Sequence, residues 1–354
     1  MDLQELVGMS NRYGSNPEFV LAGGGNTSFK EGDVMYVKAS GTRLATITEE
    51  GFVPVSRSRM RETMEKAYPD SDREREAAFL ADVQAARILP DETRRPSVEA
   101  LLHALFPQKY VLHLHPTKLN GLTCGKDGES WAKKLYGGDA LWIPLCRPGY
   151  ILGSLCSRAM ERERRENGRD TNVILLQNHG VFVAGDSVRE IDDRFRLLLS
   201  PVLAMGLREP VLEPQMRDES ELGAMLACKF GFGGFVSCAG PEFLRLTENR
   251  EAAAPLLRPF TPDHVVVCGA YPAWLESPDD AERAAGHRVV LVKGHGAFCF
   301  GADRKEAETV ASLVRDAAGI AAASESFGGP LPMTEDMTDF ITHWEAESYR
   351  RKKL

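Results

Sequence analysis

Val111-Leu112-His113-Leu114-His115-Pro116 places two histidines one residue apart in an apolar run that a proline closes. Side chains at i and i+2 of a β-strand point to the same face, so this pattern predicts a strand that aims two imidazoles at one point. The plain alternative is one histidine hydrogen-bonded in a core and one at the surface. A third histidine favours the metal reading. Val173-Ile174-Leu175-Leu176-Gln177-Asn178-His179-Gly180 reads as a second buried strand ending in a glycine turn. Three neutral imidazoles with a vacant fourth position make a catalytic rather than a structural zinc site. His113, His115 and His179 are therefore the expected metal ligands, for Zn2+ or another divalent ion.

Just upstream, Arg94-Arg95-Pro96-Ser97-Val98-Glu99-Ala100-Leu101-Leu102-His103 predicts a helix with Ser97 as N-cap and Glu99 in its first turn. The helix dipole alone favours an acidic residue there. The functional reading makes Glu99 a general base, because the helix leads directly into the histidine strand. A raised pKa suits that role, and Val98 and Leu102 offer an apolar wall to raise it. His103 shares the helix face of Glu99 and is expected to support the site or the core rather than to ligate.

Further upstream lie two small-residue corners. Leu21-Ala22-Gly23-Gly24-Gly25-Asn26-Thr27-Ser28 precedes the strand-like Val34–Lys38, and Ala39-Ser40-Gly41-Thr42 follows it. Glycines admit close backbone approach and the short polar side chains hydrogen-bond, so the two corners can flank one phosphate. Neither is a nucleotide loop, since the Lys-Ser/Thr ending and the dinucleotide spacing are missing. Read as local structure only, they are hairpin loops. Residues 56–93 carry charge, alanine and leucine at helical spacing and predict solvated helices.

Downstream, strand-like 140–146, a helix over about 150–166, the His179 strand and a helix over 186–199 alternate, which predicts an α/β or α+β unit around a central sheet. Glu209-Pro210-Val211-Leu212-Glu213-Pro214 predicts a linker, dividing the chain into domains 1–208 and 213–354. Beyond it, Val265–Val267 predicts a strand, 340–350 an amphipathic closing helix, and Val289–Gly301 echoes the His179 region. Both stretches have four aliphatics, two residues, His-Gly, one residue, Phe, two residues and Gly. His295 has no H-x-H partner in its half, so a structural role is expected for it.

The composition bounds the classes of function. A net charge of -8 provides no basic field for nucleic acid or an anionic membrane. No run of about 18 apolar residues predicts a membrane span. Seven scattered cysteines without a C-x-x-C pair argue against a disulfide framework and fit a reducing compartment. With no leader-like start, a soluble, unprocessed cytoplasmic protein is expected.

Taken in order, G-G-G-N-T-S (23–28), K-A-S-G-T (38–42), P-S-V-E-x-x-L-H (96–103), H-L-H-P (113–116) and L-Q-N-H-G (176–180) resemble the class II aldolase/adducin family. That family includes L-fuculose-1-phosphate and L-rhamnulose-1-phosphate aldolases and ribulose-5-phosphate 4-epimerase. The resemblance is strongest to the aldolase half of bifunctional rhamnulose-1-phosphate aldolase/alcohol dehydrogenase proteins, from Leu6-Val7-Gly8-Met9-Ser10 through Arg147-Pro148-Gly149 and, more weakly, to Trp344. The chain stops where the dehydrogenase half would begin, so no nicotinamide site is expected.

The resemblance implies a three-layer α/β domain with a central mixed sheet, followed by a smaller C-terminal α/β domain. It implies zinc on His113, His115 and His179, Glu99 as acid/base, and Gly25, Asn26, Ser40, Gly41 and Ser97 around a phosphate. The implied reaction is cleavage of a ketose, or ketose 1-phosphate, through an enediolate, with epimerisation or decarboxylation at the same metal as the alternative. A non-catalytic adducin-like interaction module is the alternative of another class, although such modules would lack the metal histidines. The implied partners are a small sugar substrate and further copies of the chain, as a homo-oligomer that is a tetramer in the family's pattern. Two departures stand out. Val98 replaces a second phosphate-binding serine, and Leu145 stands where related chains often carry a proton-donating tyrosine, leaving Tyr150 or Tyr136 as substitutes.

Overall fold

Seven strands pair into one sheet: β1 (Asn26–Glu31), β2 (Val34–Lys38), β3 (Phe52–Ser56), β4 (Tyr110–Leu114), β5 (Leu141–Ile143), β6 (Val173–Leu176) and β7 (Gly180–Gly185). Their spatial order is β3-β2-β1-β4-β7-β6-β5. This computed structural model describes residues 3–89 and 92–351. Every neighbouring pair is antiparallel except β5 and β6, so the sheet is mixed. The histidine strand β4 lies at its centre, every residue buried.

Strand alternation sorts the two faces. Asn26 pairs with His113, Ser28 with Val111, and His113 with Phe182, so these side chains share one face. Apolar clusters flank that polar group. Met35, Val37, Val53 and Val55 pack with Met60, Phe79 and Leu101. Val111, Ile174 and Phe182 pack with Leu102, Phe106 and Leu152. The helices Arg57–Glu65, Asp72–Ala85, Ala100–Leu105 and Tyr150–Asn167 supply those partners. On the opposite face Leu112, Leu114, Val181 and Val183 are buried, with helices Gln4–Gly14 and Val188–Leu203 against the sheet. Helix, sheet and helix form the three layers expected.

A second, four-stranded sheet contains β8 (Gly234–Cys238), β9 (Ala273–Leu275), β10 (Val289–Val292) and β11 (Gly296–Gly301), in the order β8-β11-β10-β9. It reproduces the β4-β7-β6-β5 part of the first sheet, with the same antiparallel, antiparallel and parallel pairings. The registers coincide as well: Val173 pairs with Val183 as Val289 does with Cys299, and Trp142 with Leu175 as Trp274 does with Leu291. The turns match bond for bond. His179 N–H donates to Leu176 O at 3.2 Å and His295 N–H to Val292 O at 3.0 Å, while Gln177 and Lys293 each donate to the neighbouring parallel strand at 3.0 Å. The sequence echo is thus a match in topology and register.

Contacts divide the chain into two compact units. The first holds 1–119, 129–204 and 344–354, and the second 120–128 and 205–343. The main changeover along the chain falls between 204 and 205, and 120–128 and 344–354 are each separated in sequence from the rest of their unit. The expected linker is not a free spacer. Arg208 binds Glu242 and Glu325, both at 2.8 Å, and Val211 O accepts the Glu242 N–H.

Three local expectations change. Val265–Val267 lies in a helix, Pro262–Cys268, not a strand. Pro262 at its first turn pre-sets helical φ, and all seven residues are buried, so burial overrides the β-preference of three valines. The helix expected from Ser97 starts instead at Ala100, with Glu99 as its cap residue. Ser97 Oγ accepts the Glu99 N–H at 3.3 Å within the turn before it. The closing helix is two helices, Glu335–His343 and Glu345–Arg351, interrupted at the buried Trp344. Within 56–93 the solvated helices are Arg57–Glu65 and Asp72–Ala85, and positions 90 and 91 lie outside the described residues.

Candidate active site

His113 and His115 leave β4 on one face, and the turn after β6 brings His179 beside them. That approach requires Gly180: a Cβ there would stand 2.3 Å from Leu114 O and 2.7 Å from the His115 ring. The ligand atoms of the three imidazoles lie within 4.8 Å of one another. His113 is fully buried and stacks on Phe182 with ring centroids 4.1 Å apart. Its Nδ1–H donates to Val181 O at 3.0 Å, which fixes the tautomer and leaves the Nε2 lone pair facing the cluster.

Glu99 completes the group. Its Oε2 lies 3.3 Å from His113 Nε2 and its Oε1 3.1 Å from His179 Nε2. Oε1 is buried and accepts no hydrogen bond. Three imidazoles and a carboxylate thus converge on one point. The donor set therefore fits a divalent ion, with three imidazoles to hold it and a carboxylate beside it.

Burial pushes the Glu99 carboxyl upward, but His113 and His179 outweigh it and hold the group well below the usual carboxylate range. The raised pKa expected from an apolar wall is not found, because Glu99 faces imidazoles, not Val98 and Leu102 alone. Burial lowers His113 to about 4 against the opposing pull of Glu99. At neutral pH the pair is a carboxylate beside a neutral imidazole, which is the ligand form.

A buried relay holds Glu99 in place. His103 is fully buried, and burial pushes it well below its ordinary value, so it is a neutral imidazole. Its Nδ1 accepts from Ser28 Oγ at 2.7 Å and its Nε2–H donates to Asn26 Oδ1. That fixes the Asn26 amide, whose Nδ2 donates to Glu99 Oε2 at 2.6 Å and to Ser97 Oγ at 3.2 Å. Asn26, expected at the phosphate, has both amide hydrogens committed to the Glu99 side. Ser97 Oγ accepts twice, which leaves its own proton as the donor it can offer.

The two corners expected around a phosphate meet at Lys38, a residue that the sequence does not mark as functional although it opens K-A-S-G-T. Lys38 Nζ donates to Gly23 O at 3.3 Å and Thr42 O at 2.6 Å, and Lys38 O accepts the Ser97 N–H at 2.9 Å. Ser40 N–H is spent on Arg95 O at 2.9 Å. Gly41 has φ +83°, and Gly25, at φ +61°, sits where a Cβ would be 2.8 Å from His113 O. Neither tyrosine substitute joins the histidines. Tyr136 OH donates to Leu198 O at 2.7 Å, and the Tyr150 ring packs on Tyr68 and Phe79.

His295, at the turn equivalent to His179, contacts both oxygens of Glu219 through Nδ1 at 3.1 Å. Ser237 and Ala239 occupy the positions matching His113 and His115, by register and by sequence spacing. All seven cysteines are free thiols, and no described helix is long and apolar enough to cross a membrane.

Residues 4–198 match the family described as "Class II Aldolase and Adducin N-terminal domain". The chain belongs to that family. It is 30% identical over 195 residues to "Uncharacterized oxidoreductase YuxG" of Bacillus subtilis (strain 168), a match that covers 52% of this chain and 27% of that protein. The chain therefore spans about a quarter of that relative. Similar solved structures include the N-terminal class II aldolase domain of a conserved protein from Thermoplasma acidophilum, with 28% identity, TM-score 0.49, and coverage of 58% of this chain and 93% of that one. Another is L-fuculose-1-phosphate aldolase from Thermus thermophilus, with 15% identity, TM-score 0.38, and coverage of 58% and 95%.

Proposed function

We propose that the first unit is a divalent-metal-dependent lyase, an aldolase that cleaves a ketose, with ketose 1-phosphates of the rhamnulose or fuculose type as its substrate class. The observation that carries this reading is the convergence of three imidazoles on one point with the Glu99 carboxylate 3.1 and 3.3 Å from two of them. His113, His115 and His179 would hold the ion, with zinc the metal suited to three nitrogen ligands. When bound, it would supply Lewis-acid polarisation of the substrate's carbonyl and hydroxyl oxygens. Glu99 moves the proton at the carbon beside the carbonyl, and Asn26, fixed by His103 and Ser28, orients it. Here Asn26 is a positioning residue, not the phosphate ligand first expected. Ser97 and the Gly25 and Ser40-Gly41 corners receive the anionic end of the substrate, with Lys38 fastening the corners together.

Elemental analysis of protein purified without added metal, compared with His179→Ala, is the direct test. The expected result is about one zinc per chain in the wild type and a large loss in the variant. Turnover of ketose 1-phosphates to two smaller carbonyl products then separates cleavage from epimerisation or decarboxylation. A wild type that carries no metal and takes none up on titration would instead support the adducin-like interaction module.

A further inference from the structure

The helix Ala100–Leu105 has Glu99 at its amino end, and its carboxyl end borders a cavity of about 570 Å³ that helices Arg57–Glu65 and Tyr150–Asn167 also line. None of Glu99, His113, His115 and His179 lines it. Its volume lies in the range of about 300–1,000 Å³ usual for small-molecule sites.

Three guanidinium groups, of Arg57, Arg61 and Arg158, line this cavity, and none has an ion-pair partner among the described residues. Arg57 and Arg61 stand four residues apart on one helix, where like charges repel. Burial, then Arg61, pulls Arg57 below its ordinary value, and Asp33 opposes this only in part. Asp33 is itself occupied by the hydroxyls of Ser56 and Ser58, at 2.7 and 3.0 Å. Counting Arg164, four guanidinium groups outnumber the three carboxylates at the cavity, Glu65, Glu161 and Asp170. Asp170 holds Arg164 at 2.7 Å, Glu161 accepts from Ser157 at 3.0 Å, and Glu65 is exposed.

Two polar atoms of residues at the cavity lack partners. Arg57 Nε and Thr171 Oγ1 are both buried without a hydrogen bond, and Thr171 is only 9% exposed. These two atoms have no accessible surface and do not face the cavity; the grouped arginine donors are what point to an acceptor-rich ligand. Met64, Leu105, Pro107 and Met160 add apolar patches to the wall, which Ser154, Ser157 and Tyr150 share. A bare anion would leave those patches uncovered.

We propose that this cavity is a second small-molecule site, separate from the histidine centre, for a phosphomonoester that also carries an apolar body. Arginine forks match phosphate oxygens two at a time, and the apolar patches take the remainder of the ligand. The proposal does not depend on the metal reading.

Phenyl phosphate, with inorganic phosphate as a separate titrant, is the probe. Isothermal titration would be run on the wild type, Arg61→Met, Arg158→Met and His179→Ala. The expected result is a phenyl phosphate site that is retained in His179→Ala and is at least about tenfold weaker in each arginine variant. Inorganic phosphate should bind the wild type about tenfold more weakly than phenyl phosphate. Arg61 and Arg158 are exposed, so their variants remain folded and the test stands whatever Arg57 contributes to stability. No binding at millimolar probe, unchanged affinity in both arginine variants, or loss confined to His179→Ala would each overturn the proposal.

Discussion

The turns bearing His179 and His295 share strand order, register and backbone hydrogen bonds, yet among the described residues only His179 belongs to a cluster of ligands. The difference lies in the neighbours. Beside His179, β4 carries His113 and His115, and the preceding helix brings Glu99. Beside His295 the matching strand carries Ser237 and Ala239, and the imidazole is taken by Glu219. One backbone design therefore serves two ends: fold delivers a position, and side chains on three separate segments decide whether that position does chemistry.

The sharpest way to break this comparison is to make the same change in both turns. His179→Ala is expected to lose the metal and with it turnover, by on the order of 10³-fold or more, since several kcal/mol of transition-state stabilisation goes with the ion. His295→Ala should keep metal and turnover within about twofold, because it removes only a contact with Glu219, whose carboxylate keeps Arg217 as a partner. Metal analysis and steady-state kinetics on both variants check this. Equal losses would mean the two turns do the same work.

Glu99→Gln comes next. It is isosteric and leaves the three imidazoles in place, so metal content should persist while kcat falls about 10²–10⁴-fold, the usual contribution of a positioned acid/base. A metal-replete variant with wild-type kcat would remove Glu99 from the reaction. His103→Phe tests the relay behind it. With the Asn26 amide no longer fixed, kcat should fall about 10–100-fold, less than in Glu99→Gln, with the metal retained.

How much of this is legible in the sequence follows from how local each signal is. The H-x-H strand and the His179 turn are readable because period-2 alternation fixes which side chains share a face. The relay is not readable, because Asn26, Ser28 and His103 meet only through the β1–β4 pairing and a helix above it. The pKa of Glu99 is misread from sequence for the same reason, since nearby residues along the chain are apolar and its actual neighbours are imidazoles. The strand expected at Val265–Val267 fails because three valines signal β-structure locally, whereas Pro262 and burial on all sides decide for helix. Lys38 gives no signal beyond its place in a motif, because the groups it joins are backbone carbonyls.

Paired core changes sharpen the comparison from the stability side. Phe182 and Phe298 hold equivalent places in β7 and β11, and both are fully buried. Phe→Ala at either should cost about 3–5 kcal/mol of the unit that contains it, a cavity being left in each core. Only Phe182→Ala should also weaken metal retention, since Phe182 stacks on His113 at 4.1 Å. Denaturant unfolding together with metal analysis separates the two effects.

The smallest effect should be the most nearly equal. Ser187 and Asp303 cap the helices that follow the two hairpins, accepting from Glu190 N at 3.2 Å and Glu306 N at 2.8 Å. In both cases the glutamate reaches back to the N–H that precedes the cap, Glu190 to Asp186 and Glu306 to Ala302. Ser187→Ala and Asp303→Ala should each cost about 1 kcal/mol, seen as a fall of a few degrees in the melting temperature, with metal content and kcat unchanged. Such matched, chemically silent losses would show that the two hairpin-helix pieces are equivalent as structure. A loss of activity in Ser187→Ala alone would instead mean that the helix cap, not only the ligand-bearing strand, sets the position of His179.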